Sequence, residues 1–231
     1  MVASCDRFPD NGIQVSGMLP FEDDCTVDPA TNLRRSSGVW DIEFGLGGGV
    51  FALNGDYIVT PLLEGYFVSR ALEIQAETNN FEVTNFDIWL LSPDDQPLVL
   101  PDTLPNPFRV PATAVLPATE DGTPSSAATG ATGIPVAYAT AVNDALAALN
   151  FNQVIVDMKA VGETRGGFTQ ISNSFRWPVR VCEGCLDLCA PGTPLTEEEL
   201  QLLTDACAPG QDGFFWCSNE GLIPVPMEDA N

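Results

Sequence analysis

Phe151-Asn152-Gln153-Val154-Ile155-Val156-Asp157-Met158-Lys159-Ala160-Val161 is the stretch on which the fold turns. Val154, Val156, Met158 and Ala160 share one parity, so they occupy one face of an extended chain. A second run, Gly167 to Cys182, repeats the pattern with Phe175, Trp177, Val179 and Val181 opposite Ser174, Arg176 and Arg180. Gly166-Gly167 belongs to the connection between these two predicted strands.

Upstream, Tyr138, Ala141, Val142, Ala145, Leu146 and Leu149 recur at helical spacing, and Asn150 suits the left-handed position that ends a helix. Ala118 to Gly133 has almost no large apolar side chain and reads as a mobile surface loop. Phe108 to Leu116 is a short strand whose Pro111 favours a sheet edge. In Phe81 to Leu91 the parity changes between Phe81/Val83 and Phe86/Ile88/Leu90, and a bulge near Thr84-Asn85 reconciles the two halves. Leu72, Ile74 and Ala76 alternate with Glu73, Gln75 and Glu77 as in a half-exposed strand. Gly45-Leu46-Gly47-Gly48-Gly49 marks a tight turn and not a dinucleotide-binding loop, because Val50 takes the sixth position and no long helix follows. Several strands with one internal helix favour a sandwich over a parallel α/β sheet. The expected fold is mainly β: an immunoglobulin-like β-sandwich with one internal helix and a disulfide-rich C-terminal appendage containing a short helix. Residues 1–38 read as an N-terminal tether, 39–181 as the sandwich and 182–231 as a cysteine-rich tail. Pro9, Gly12, Gly17, Pro20 and Pro29 punctuate the tether. In the tail, Thr196, Glu199, Leu195 and Leu200 form a capping box and staple that start the short helix.

Composition narrows the chemistry. The 231 residues carry 32 acidic and 9 basic side chains, a net charge of -23, and no histidine. Such a field repels phosphate backbones and anionic headgroups, and Arg34-Arg35 is too small a basic cluster to reverse it, so no nucleic-acid partner is expected. Without histidine there is no Ser-His-Asp or Cys-His nucleophile and no imidazole zinc set. Carboxylate, thiolate or cofactor chemistry remains. Asp94-Asp95 and Asp23-Asp24 lie in turn-like sequence, and Glu197-Glu198-Glu199 opens a helix, where the dipole favours negative charge. No catalytic residue, metal or cofactor is assigned.

Seven cysteines carry the densest signal: Cys5, Cys25, Cys182, Cys185, Cys189, Cys207 and Cys217. Val2-Ala3-Ser4 before Cys5 matches the pattern read by bacterial lipoprotein signal peptidase, which makes Cys5 a lipidation site and leaves an even set of six. Those six read as structural disulfides of an exported protein, each closed loop contributing about 2–4 kcal/mol. Their pairing is open, since six cysteines allow roughly 15 connectivities. A thiolate metal site and a redox dithiol are the competing readings of Cys182-x-x-Cys185. Zinc sites of four thiolates usually show two short-spaced pairs, and here only the first pair is short.

The lipobox-like start, the ending Val179-Arg180-Val181-Cys182-x-x-Cys185-Leu186 and Gly210-Gln211-Asp212 before Cys217 together resemble the uncharacterised cysteine-rich lipoproteins of myxobacteria and related bacteria. The resemblance covers about Tyr57 to Cys217. It implies a cell-envelope protein, anchored in a membrane by its N-terminal lipid, with no assigned activity. The resulting expectation is a non-catalytic envelope or surface lipoprotein whose protein or glycan partner is unidentified. A carboxylate-based exported hydrolase and a thiolate metal binder are the alternatives.

Overall fold

The computed structural model describes residues 12–22, 25–42, 55–69, 79–120, 123–186, 207, 211–212, 214–218 and 221–225, the last two stretches as backbone. In chain order the strands are β1 (Ile13–Met18), β2 (Gly38–Asp41), β3 (Tyr57–Val59), β4 (Pro61–Gly65), β5 (Phe81–Leu91), β6 (Phe108–Leu116), β7 (Ser125–Ala128) and β8 (Ala131–Ile134). A 3₁₀ turn and helix α1 (Ala139–Ala148) follow, then β9 (Gln153–Thr164), β10 (Thr169–Ile171), β11 (Phe175–Cys182), β12 (Phe214–Ser218) and β13 (Gly221–Val225). The fold is mainly β and sandwich-like, with a single short α-helix among the described residues.

The larger sheet has the order β2-β11-β9-β5-β6, with β10 paired to β9. Its central strands are those with the clearest alternation. Val154, Val156, Met158 and Ala160 of β9 are fully buried, as are Phe86, Ile88 and Leu90 of β5 and Val179 of β11. The register of β5 shifts between Val83 and Asn85 against both neighbours, which is the predicted bulge. Gly162 pairs with Val83 at that point, and a Cβ on it would lie 2.1 Å from the Glu82 carbonyl oxygen, so the close approach of β9 to the bulge requires glycine. β6 ends this strand order, the edge position that its Pro111 favours. Asn150 closes α1 at φ +59°, in the left-handed region foreseen for it.

β1, β4 and β7 form a second sheet, and β3 pairs with β8. Buried side chains of both layers, among them Ile13, Val15, Leu63, Phe81, Val156 and Trp177, form one core. Two expectations are corrected here. The stretch 1–38, read as a tether, supplies β1, which buries Ile13, Val15 and Met18 and pairs antiparallel with β4. A register shift between Val15 and Gly17 and the flanking glycines break up its short alternation. The stretch Ala118 to Gly133, read as a mobile loop, contains β7 and most of β8. Gly133 is required where β8 shifts register against its partner β3: a Cβ on it would stand 2.5 Å from Val59 Cγ1. The predicted strand at Leu72–Ala76, the Gly45–Gly49 turn and the tail helix lie outside the described residues.

Candidate functional site

Four of the six cysteines predicted to pair are joined in the structure. Cys25 bonds to Cys207 with a Cα–Cα distance of 5.1 Å, and Cys182 bonds to Cys185 at 5.8 Å. Cys5 and Cys189 lie outside the described residues, and of Cys217 only the backbone, in β12, is described.

Beyond Cys207, Gln211 and Asp212 enter the sandwich and are buried. The Gln211 side chain acts as a short piece of strand against β3: its Oε1 accepts from Ile58 N at 2.7 Å, and its Nε2 donates to Ile58 O. Asp212 takes up φ +56°, a conformation Asp tolerates better than most residues. Its N–H donates to Val39 O at 3.0 Å, and its Oδ1 accepts from Val39 N at 2.6 Å, so one residue caps both groups of β2. Arg35 Nη1 donates to Asp212 Oδ2 at 2.5 Å, Tyr57 Oη lies 3.3 Å from the same oxygen, and Trp177 Nε1 donates to Tyr57 Oη at 2.9 Å. Gly38 makes room for this network, because a Cβ there would be 1.7 Å from Tyr57 Oη.

Burial raises the Asp212 pKa above the usual carboxylate value, opposed by the Arg35 charge and the Val39 N–H. Burial first, and then the charge of Asp212, push the Tyr57 hydroxyl well above its ordinary range. Tyr57 is therefore a fixed donor to Asp212.

A second buried aspartate organises the other cysteine pair. Asp41, at the end of β2, is wholly inaccessible and is the register partner of Cys182 in the parallel pairing of β2 with β11. Its Oδ1 accepts from Gly184 N at 2.7 Å and its Oδ2 from Leu186 N at 2.8 Å. The loop from Cys182 to Leu186 thus wraps a carboxylate, and Gly184 turns it at φ +65°.

Other predicted groups are distributed without convergence. Asp95 sits at φ +65° in the turn after β5 and pairs with Arg176 at 2.7 Å, both about half exposed. Asp23-Asp24 and Glu197-Glu198-Glu199 lie outside the described residues. Arg34 donates to the carbonyls of Thr31 and Leu33, while Arg35 serves Asp212. Trp40 and Trp177 are core residues. Trp89 faces outward, with Lys159 Nζ 5.3 Å from its ring centroid. With Phe108 and the paired Asp87 and Arg109 it lines an open groove of about 240 Å³. Sequence reasoning missed Asp41 and Asp212 as buried centres. An acid directly after the core residue Trp40 was the available sign for the first.

Comparison with family models, with curated proteins and with solved structures finds no match for this chain. Among the described residues no helix is long and apolar enough to cross a membrane.

Proposed function

We propose that the protein is a non-catalytic module of the bacterial cell envelope or surface, exported, closed by disulfides and anchored to a membrane by a lipid on Cys5. The observation that carries this reading is the Cys25–Cys207 disulfide, which joins residues 182 apart. A bridge of that span persists in oxidising compartments and is rare in reducing ones. The two buried aspartates support a structural use of the acidic groups they represent, since both accept backbone N–H groups that hold the C-terminal part of the chain on β2. Acyl chains on Cys5 would supply the membrane affinity, about 0.8 kcal/mol for each buried methylene. The groove beside Trp89 and the loops at the sheet ends are the surfaces on which such a module would hold a protein or glycan.

Intact mass of the protein isolated from its native membrane, before and after reduction, tests the reading. The expected result is acyl mass retained on the fragment containing Cys5 and a gain of two hydrogens per bridge on reduction. Native protein with every thiol free, or with an unmodified Cys5 in the membrane fraction, would overturn it.

A further inference from the structure

Asp41, Cys182 and Cys185 are the one grouping of three metal-ligating side chains among the described residues, with both sulfurs and a carboxylate oxygen within 4.8 Å of one another. Asp41 is buried and the two cysteines are half-buried, so the sulfurs can be reached while the carboxylate is held in place. We infer that this triad is a redox-gated site for a thiophilic divalent cation of the zinc class, closed by the Cys182–Cys185 disulfide and opened by its reduction.

In the oxidised site the sulfurs are neutral, and the Asp41 carboxylate is stabilised by the N–H groups of Gly184 and Leu186. Reduction sets two ionisable thiols beside that buried carboxylate. Two sulfurs and a carboxylate oxygen that lie so close together are a donor set for a divalent ion that prefers sulfur. Two thiolates and one carboxylate, with a fourth position open to water, belong to the zinc ligand repertoire.

The donor atoms are also pre-placed. Parallel pairing sets Asp41 next to Cys182, and the turn at Gly184 brings Cys185 back toward both. A carboxylate offers about four acceptor positions, so accepting two N–H groups is compatible with ligating an ion. Those N–H groups would then be the supporting hydrogen bonds that orient a metal ligand. The exchange balances with a dithiol as reductant. The dithiol gives two electrons and two protons to the Cys182–Cys185 bond and becomes a disulfide, and the cation displaces two protons from the resulting thiols.

The inference does not depend on the lipid anchor. Full-length protein, reduced with a dithiol and loaded with one equivalent of Zn²⁺, should show by X-ray absorption a zinc shell of two sulfurs with light oxygen ligands. The oxidised protein should take up none under the same conditions. C182S/C185S should lose this binding, and D41N should weaken it about tenfold or more. A shell of four sulfurs, zinc uptake undiminished in C182S/C185S, or equal uptake by the oxidised protein would overturn the proposal. If circular dichroism shows that D41N does not fold, the wild-type zinc shell decides alone, and sulfur without oxygen counts against it.

Discussion

Cys25 and Cys207 stand 182 residues apart in the chain, whereas Cys182 and Cys185 are separated by 3. Both bridges accompany a buried aspartate that fastens C-terminal residues to β2, yet the physics of the two attachments differs. Closing the long loop removes much of the freedom of the unfolded chain, worth about 5 kcal/mol in the loop-entropy description. Closing the short one removes little, about 2 kcal/mol by the same relation. The long bridge is therefore a staple for the whole fold, and the short bridge is a local closure whose loss the fold survives. A stapled protein that also carries a cheaply opened cysteine pair can change state at one place without unfolding elsewhere.

The largest effect that can break this comparison comes from the staple. C25A/C207A should lose about 5 kcal/mol of stability, read as a drop in the urea midpoint. A loss below about 2 kcal/mol would put the two bridges on the same footing and remove the contrast. Next is the polar attachment beyond Cys207. D212A strips a partner from Arg35, Tyr57 and the Val39 N–H at once, and the buried carboxylate position cannot be refilled by a methyl group. Its cost should be about 3 kcal/mol, with Arg35 partly relieved because a quarter of its side chain is exposed to water. Third, C182A/C185A should cost at most about 2 kcal/mol and leave the β-sheet circular dichroism unchanged. Collapse of the fold in that variant would make the short bridge structural after all.

The same contrast explains what was legible in the amino-acid sequence. β5, β9 and β11 declare themselves because large apolar residues alternate with polar ones, and burial of one face fixes both identity and register. The bulge in β5 was readable for the same reason: a parity change in a strongly alternating run has few other causes. β7 and β8 stayed hidden because Ser125, Ala127, Ala131 and Gly133 are chosen for close approach, and small residues carry no periodic signal. β1 was masked by the glycines and the bulge that shape it. The cysteines could be counted, but their pairing depends on a path of 182 residues. Neither aspartate site could be read locally, because the donors lie 145 and 173 residues away, at Leu186 for Asp41 and at Val39 for Asp212. Burial of an acid is set by such distant partners, which pattern analysis does not see.

The smallest effect sharpens the comparison by asking what Asp212 contributes as a charge. Burial raises its pKa in the folded protein despite Arg35 and the Val39 N–H, so at intermediate pH the native state holds a proton that the unfolded chain has released. A group of this kind contributes stability that is fully present below the unfolded pKa and is lost as pH rises through the folded one. Wild type should therefore gain on D212N as the solution is acidified from neutrality toward the ordinary carboxylate range, because the variant lacks this titration and shares the others. Urea unfolding of the two proteins at a series of pH values measures the gap directly. If the gap narrows on acidification, the ion pair with Arg35 outweighs burial, and the attachment beyond Cys207 is held by its charge instead of by its hydrogen bonds.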